Sequence, residues 1–173
     1  MMRLVVLAAI LMGGTAMVEN PANKNPELLA ISLIAKFEGF EAKPYTCPGG
    51  KATIGYGFTD PALIAKGTMT RKEADRILGK MVREELRFIN ERIQGLTPKQ
   101  QAAVVSFIHN FGRTKFLKSK FYQKLQEHDI PGAQRELMDW VHVKKVNKVT
   151  GETVVYELRG LRARRSVERD WLS

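Results

Sequence analysis

The first twenty residues hold the densest apolar run in the chain. Arg3 precedes an apolar stretch from Leu4 to Met12, and small residues follow it at positions 14–16. A basic start, an apolar centre and a small-residue exit are typical of an export signal. The apolar run to Val18 is short for a stable membrane-spanning helix, which needs roughly 20 apolar residues. We therefore predict that residues 1–20 form either a cleaved signal peptide or a weak signal anchor.

Apolar positions in residues 21–173 recur mostly at helical spacing. Asn25 is a capping residue followed by proline, and Gly39 is a helix-ending residue, so a first helix is predicted between them. Thr70 and Thr97 each open a capping box and predict two longer helices. The first of these connects two lobes, and the second, the most apolar, is predicted at the centre of the larger lobe. The other predicted helices lie at about 118–127, 131–140 and 160–171.

Two segments alternate instead with the period of a strand. From Lys51 to Phe58 the apolar side chains fall on one face, and Thr53 falls on the other with two glycines. Residues 141–157 alternate about a Thr150-Gly151 turn, which predicts a hairpin. This hairpin either touches a polymeric partner or is a tolerated surface loop. Residues 21–173 are thus predicted to form one α+β domain, with a small β-containing lobe and a larger, mostly helical lobe.

The formal net charge of +10 bears on the partners rather than on the fold. It predicts attraction to an anionic surface such as nucleic acid, an acidic membrane or bacterial cell wall, unless it only keeps the protein soluble. Aromatic and basic residues do not interleave as in known nucleic-acid modules, so no nucleic-acid partner is predicted. Cys47 is the only cysteine, which excludes an intrachain disulfide. His109 and His142 show no metal-binding spacing, so neither a metal nor another cofactor is predicted.

Three residues with side chains suited to acid–base chemistry lie before and on the first predicted strand. Glu38 stands in the last turn of the first predicted helix, eight residues separate it from Cys47, and five more separate Cys47 from Thr53. Cleavage of a sugar chain by water needs a proton donor and a group that orients the attacking nucleophile. A carboxyl group, a thiol and a hydroxyl can fill these roles. Each residue also has a structural interpretation: a helix-end glutamate, a buried apolar cysteine and a β-branched strand residue.

This spacing resembles the signature of the phage-type lysozymes of glycoside hydrolase family 24, in which Asp or Cys takes the middle position. The surrounding segments EGFEAKPY, CPGGKATIGYG and ELRGLRARRSVERDWL are also similar to that family. The resemblance runs from about residue 26 to the C-terminus, and the hairpin at 141–157 looks like an insertion. It implies a lysozyme-like fold whose two lobes flank a cleft.

The resemblance further implies a monomeric endolysin, exported to the periplasm, that hydrolyses the β-1,4 bond between N-acetylmuramic acid and N-acetylglucosamine in peptidoglycan. Glu38 would be the proton donor, and Thr53 with Cys47 would hold the water, with inversion at the sugar carbon. Cys47 departs from the more familiar Asp. A free thiol has a pKa near ~8.5 and a free Asp near ~3.9, so a charged role for Cys47 requires a thiolate.

Contact with the substrate is assigned to residues around the glycine-spaced strand and at the end of the central helix. These candidates are Tyr56, Gly55, His109 and Asn110. The arginines of the last helix (162, 164, 165 and 169) either contact anionic wall components or pair with Glu168 and Asp170. A lytic transglycosylase and a non-catalytic peptidoglycan-binding protein remain the alternative functions.

Overall fold

The computed structural model describes residues 25–46, 50–146 and 151–173, and no side chains at 144 and 145. In these ranges it has eight helices and two antiparallel two-stranded sheets. In chain order they are α1 (Pro26–Glu38), β1 (Glu41–Thr46), β2 (Ala52–Gly55), α2 (Pro61–Ala65), α3 (Arg71–Asn90), α4 (Pro98–Phe111), α5 (Arg113–Leu117), α6 (Lys120–Gln126), α7 (Ile130–Met138), β3 (His142–Val146), β4 (Thr153–Glu157) and α8 (Arg159–Leu172). The predicted α+β class is confirmed.

Helix α1 begins and ends where its capping residues predict. The Asn25 side chain accepts hydrogen bonds from the backbone N–H groups of Glu27 and Leu28, at 2.9 and 3.3 Å. Gly39 ends the helix with φ +66°, a left-handed conformation that glycine adopts at little cost. Glu38 therefore occupies the last helical position, directly before the chain turns into β1.

The small lobe is built on the β1–β2 hairpin, in which Tyr45 pairs with Thr53. The strand predicted to continue to Phe58 instead ends at Gly55, and this part of the prediction is wrong. Gly55 and Gly57 both have positive φ, at +67° and +79°, so the chain turns sharply. Ile54 and Phe58 then exchange two backbone hydrogen bonds, at 3.0 and 2.9 Å. The turn carries the backbone of Gly57 to the side chain of Glu38.

Two helices of five residues each, α2 and α5, were not predicted, because one turn and a half shows no apolar periodicity. The Thr97 capping box at α4 is closed in both directions by Gln100. At α3 only half of the box forms. Thr70 accepts from the backbone N–H of Glu73 at 3.2 Å, whereas the Glu73 carboxylate binds Lys66 at 2.5 Å.

Helix α4 lies at the centre of the larger lobe, as predicted. The side chain of Phe107 is fully buried, and its ring lies 5.0–6.1 Å from four other aromatic rings of this lobe, those of Phe111, Phe116, Phe121 and Trp140. Helices α1, α3 and α8 pack against α4. The contact with α8 differs in character, because it buries charged residues of α8 within an otherwise apolar core.

The predicted hairpin at 141–157 is present as β3 and β4, with Val143 paired to Tyr156. Strand β4 is exposed along its whole length. Within the described ranges, no helix is both long and apolar enough to cross a membrane. Residues 1–20, with their predicted export segment, and Thr150 of the predicted turn lie outside those ranges.

Candidate active site

A cleft of about 400 Å³ lies between the β1–β2 lobe and the helical lobe. It contains a carboxyl group, a hydroxyl group, an imidazole, an amide and an ammonium group. Their residues are Glu38, Thr53, His109, Asn110 and Lys51, and the remaining walls are formed by Tyr45, Gly57, Phe58, Thr59, Met81, Phe111 and Gly112.

The two carboxylate oxygens of Glu38 have different surroundings: one accepts a hydrogen bond from an arginine, and the other lies beside the backbone of a glycine. Its side chain is 20% exposed, and its Oε1 accepts a hydrogen bond from Arg164 Nη1 at 2.5 Å. A Cβ atom placed on Gly57 would lie 2.9 Å from Oε2 of Glu38. The guanidinium of Arg164 faces a carboxylate that the helix end alone would disfavour. Oε2 is therefore the oxygen available to a molecule in the cleft.

Arg164 is itself fixed by a buried polar cluster between α4 and α8. Its Nε donates to Glu168 Oε1 at 3.2 Å, and its Nη2 donates to the carbonyl oxygen of Ser106 at 3.1 Å. The hydroxyl of Ser106 donates to Glu168 Oε1 at 2.6 Å. All three of these side chains are nearly or fully buried. Arg164 thus has few alternative orientations. Because Arg164 binds Glu38, the position of the Glu38 carboxylate is restricted as well.

Arg165 completes the charge balance of the cluster. Its Nη1 lies 2.9 Å from Glu168 Oε2 in an ionic contact without hydrogen-bond geometry, and its Nη2 donates a hydrogen bond to Glu168 Oε1 at 3.2 Å. Its Nη2 donates to Asn110 Oδ1 at 3.2 Å. Burial lowers the pKa of Arg165 to about 10, and burial also raises the pKa of Glu168, against the effect of the two guanidiniums. Two guanidiniums are matched by two carboxylates, those of Glu168 and Glu38.

His109 links the two lobes at the floor of the cleft. Its Nε2 lies 3.1 Å from the carbonyl oxygen of Tyr56 and 3.9 Å from Glu38 Oε1. Burial lowers the pKa of His109 below its ordinary value of 6.5; Glu38 acts in the opposite direction, and Arg164 adds to the lowering. The imidazole is therefore neutral at pH 7. Because a carbonyl oxygen only accepts, the proton of this neutral ring resides on Nε2.

The structure brings four of the predicted site residues together: Glu38, Thr53, His109 and Asn110 line the same cleft. The hydroxyl of Thr53 donates to the carbonyl oxygen of Tyr45 at 3.3 Å. Because its hydrogen is used in that bond, the Thr53 oxygen presents lone pairs that can accept a hydrogen bond from water.

Two other predicted residues do not line the cleft. The Tyr56 side chain is buried, and its hydroxyl donates to Asp75 Oδ1 at 2.7 Å, which leaves only its backbone carbonyl near the site. Gly55 lies over Phe58 and Met69, since a Cβ there would come within 2.9 Å of both side chains. Cys47 lies outside the described residues.

Sequence reasoning missed the partner of Glu38, although it singled out the arginines of α8. Arg164 is 126 residues away along the chain, so no local pattern connects the two. A clue was present in α4, where Ser106 interrupts an apolar run and must find a polar partner when buried. Of the two alternatives for these arginines, the structure shows pairing with acids. Arg164 and Arg165 pair with Glu168, and Arg169 pairs with Asp170, whereas Arg162 pairs with Glu157 instead.

Replacing Gly57 by alanine is expected to lower activity roughly 100-fold, since its new Cβ would push Glu38 Oε2 from a distance of 2.9 Å. Gly67→Ala is the matched control. Gly67 has φ +75°, against +79° for Gly57, but a Cβ there meets nothing within 4 Å. Both variants carry the same backbone strain, about 1–2 kcal/mol. Turnover and urea unfolding of both variants test this; equal activity in the two would contradict the contact with Glu38.

A carboxyl group at the floor of a cleft between a small β lobe and a helical lobe, with a hydroxyl group lining the same cleft, defines the class of lysozyme-like glycosidases. The sequence profile described as phage lysozyme matches residues 35–168. The chain therefore belongs to the phage lysozyme family.

Relatives in sequence and in structure agree with this membership. The endolysin of Acyrthosiphon pisum secondary endosymbiont phage 1 is 33% identical over 138 residues, 79% of this chain and 90% of the relative. The SAR-endolysin of bacteriophage PS119 is 32% identical over 134 residues, 77% and 74% of the two chains. The solved endolysin from Escherichia coli O157:H7 phage FAHEc1 superimposes with a TM-score of 0.68 at 27% identity, covering 83% of this chain and 90% of that one. The muramidase domain of SpmX from Asticaccaulis excentricus also gives 0.68, at 28% identity, covering 83% and 93%. The predicted lysozyme-like fold is confirmed.

Proposed function

We propose that this lysozyme is an endolysin that cleaves the β-1,4 bond between N-acetylmuramic acid and N-acetylglucosamine, with Glu38 as the proton donor. The observation that carries the proposal is the placement of Glu38. Its Oε1 is bound by a buried arginine, and its Oε2 stands beside the bare backbone of Gly57 in the cleft. A proton donor has to be held in one orientation with its reactive oxygen accessible to the leaving group.

The nucleophile in this proposal is a water molecule that donates a hydrogen bond to the hydroxyl oxygen of Thr53. That oxygen lines the cleft, and its own hydrogen is directed to Tyr45. Cys47 shares the task of holding the water, as the motif implies. His109 is excluded as a cationic group at neutral pH, because burial lowers its pKa. His109 instead holds the turn at Tyr56 against the helical lobe.

Export to the periplasm fits the proposal, since peptidoglycan lies outside the inner membrane. The SAR-endolysins among the relatives are the finding that favours a signal anchor over a cleaved signal peptide for residues 1–20. On this account the chain acts as a monomer after leaving the membrane. The net charge of +10 then favours attachment to the anionic wall.

Product analysis of digested, purified peptidoglycan tests the proposed bond and the use of water. Hydrolysis yields a reducing N-acetylmuramic acid end that carries the added water, and inversion of the β bond makes the α anomer appear first. Mass spectrometry and proton NMR of the fresh digest report these two properties. A product lighter by one water, with an anhydro ring, would identify a lytic transglycosylase. Unchanged walls with bound protein would identify a non-catalytic binder.

A further inference from the structure

A second groove, of about 670 Å³, runs between α2 and α3. It shares Phe58, Thr59 and Met81 with the catalytic cleft, so the two cavities lie side by side. The groove is larger than the cleft, which measures about 400 Å³. A wall polymer seated over Glu38 would therefore pass the mouth of this groove.

The groove has an apolar floor and a charged rim. Phe58 is buried at its floor, next to the partly buried Leu63 and Ile77. Both lysines of the rim have an acidic partner: Lys66 binds Glu73 at 2.5 Å, and Lys80 lies 3.9 Å from Glu84. A third acid, Asp60, caps α2 by accepting from the backbone N–H of Ala62 at 2.8 Å.

Unlike the two lysines of the rim, Arg76 has no acidic partner among the residues that the structure describes. It is exposed and forms no hydrogen bond or ion pair with any residue that the structure describes. Its charge acts on Glu73 only at longer range, where it adds to the effect of Lys66 in lowering the pKa of that carboxyl. A free guanidinium above an apolar floor can form a forked pair with a carboxylate ligand.

We propose that this groove binds the acidic peptide stem that hangs from the muramic acid of the substrate; the inference rests on the proposed function of the cleft. In a stem-bearing strand the glycan itself is uncharged, because the lactyl carboxylate of each muramic acid is in amide linkage with the stem, so the glycan offers no anionic partner to a free guanidinium. The stem peptide carries carboxylates and short apolar side chains, which match Arg76 and the floor. The groove thus sets a preference for stem-bearing over stem-free glycan.

Binding of soluble wall fragments tests this without relying on catalysis. Glu38→Gln protein is titrated by calorimetry with a glycan fragment that bears its stem peptides, and with an N-acetylglucosamine oligomer of the same length, which carries neither a stem nor a lactyl carboxylate. We expect tighter binding of the stem-bearing fragment. Adding Arg76→Gln should weaken that binding about fivefold and leave the stem-free fragment unaffected, as expected for one exposed ion pair. Arg76→Lys should restore part of the loss.

The matched control is Arg87→Gln, which removes the same charge from an exposed site on α3 that lines a different groove. Equal effects of the two substitutions would reduce Arg76 to a general electrostatic contribution and overturn the proposal. Equal affinity for both fragments would overturn it as well, while wall hydrolysis by the unmodified protein would leave the lysozyme function standing. If neither fragment binds and the wild type releases no reducing ends, the proposed function itself fails.

Discussion

Glu38→Gln is expected to lower peptidoglycan hydrolysis by roughly three orders of magnitude, within the range that general acid catalysis supplies. Glutamine keeps the shape of the side chain and can still accept from Arg164, but it has no acidic proton to give to the leaving oxygen. The rate of turbidity loss of purified walls measures the effect. Because the ion pair with Arg164 is lost, the free energy of unfolding should fall by about 1–2 kcal/mol.

Glu41→Gln is the control for this prediction. Glu41 is an exposed residue three positions further along, outside the lining of the cleft. We expect its hydrolysis rate and stability to match the wild type. If Glu38→Gln retained more than a tenth of the wild-type rate while folded, proton donation would have to be assigned to another group.

Glu168→Gln is expected to be the most destabilising of the substitutions considered, by about 3–5 kcal/mol. The Glu168 carboxylate is fully buried and is the shared partner of Arg164, Arg165 and Ser106. Replacing it by an amide leaves two buried guanidiniums with too few negative partners. Burial with incomplete pairing is what makes a buried ion costly. Urea unfolding followed by circular dichroism gives the loss directly.

Asp170→Asn makes the same chemical change two residues along α8. Asp170 pairs with Arg169 at 2.8 Å, but the two side chains are 62% and 45% exposed. An exposed pair of this kind contributes at most about 1 kcal/mol. The difference between the losses in free energy of unfolding of the two variants therefore measures the effect of burying the charge. A loss for Glu168→Gln no larger than that for Asp170→Asn would mean that the cluster does not depend on the charge of Glu168.

Local chemistry made much of the fold predictable. The Asn25 and Thr97 caps set the starts of α1 and α4, and Gly39 set the end of α1, because capping depends on groups within a few residues. The alternation of apolar and polar residues predicted the hairpin at 141–157, because this pattern also depends only on residues close together in the chain. The signature shared with the phage-type lysozymes singled out Glu38 and Thr53, and both line one cleft in the structure.

Prediction failed where a contact is set by packing between distant segments. Tyr56 was assigned to substrate contact although the alternation placed it on the apolar face of its strand. Its side chain is buried, and its hydroxyl meets Asp75, which is 19 residues away along the chain. Helices α2 and α5 are too short to show an apolar pattern of their own, so their formation depends on packing against neighbouring elements.

The sequence by itself determined the longer helices and the α+β class, since these depend on interactions among near neighbours, and its resemblance to the family singled out the proton-donor candidate. Only the tertiary structure decided how that donor is held. It brings Arg164 from the last helix, Ser106 from the central helix and Gly57 from the small lobe to one carboxylate and its support. The physical reason is range: capping and periodicity act over a few residues, whereas a buried charge takes whatever partner the packed core places beside it.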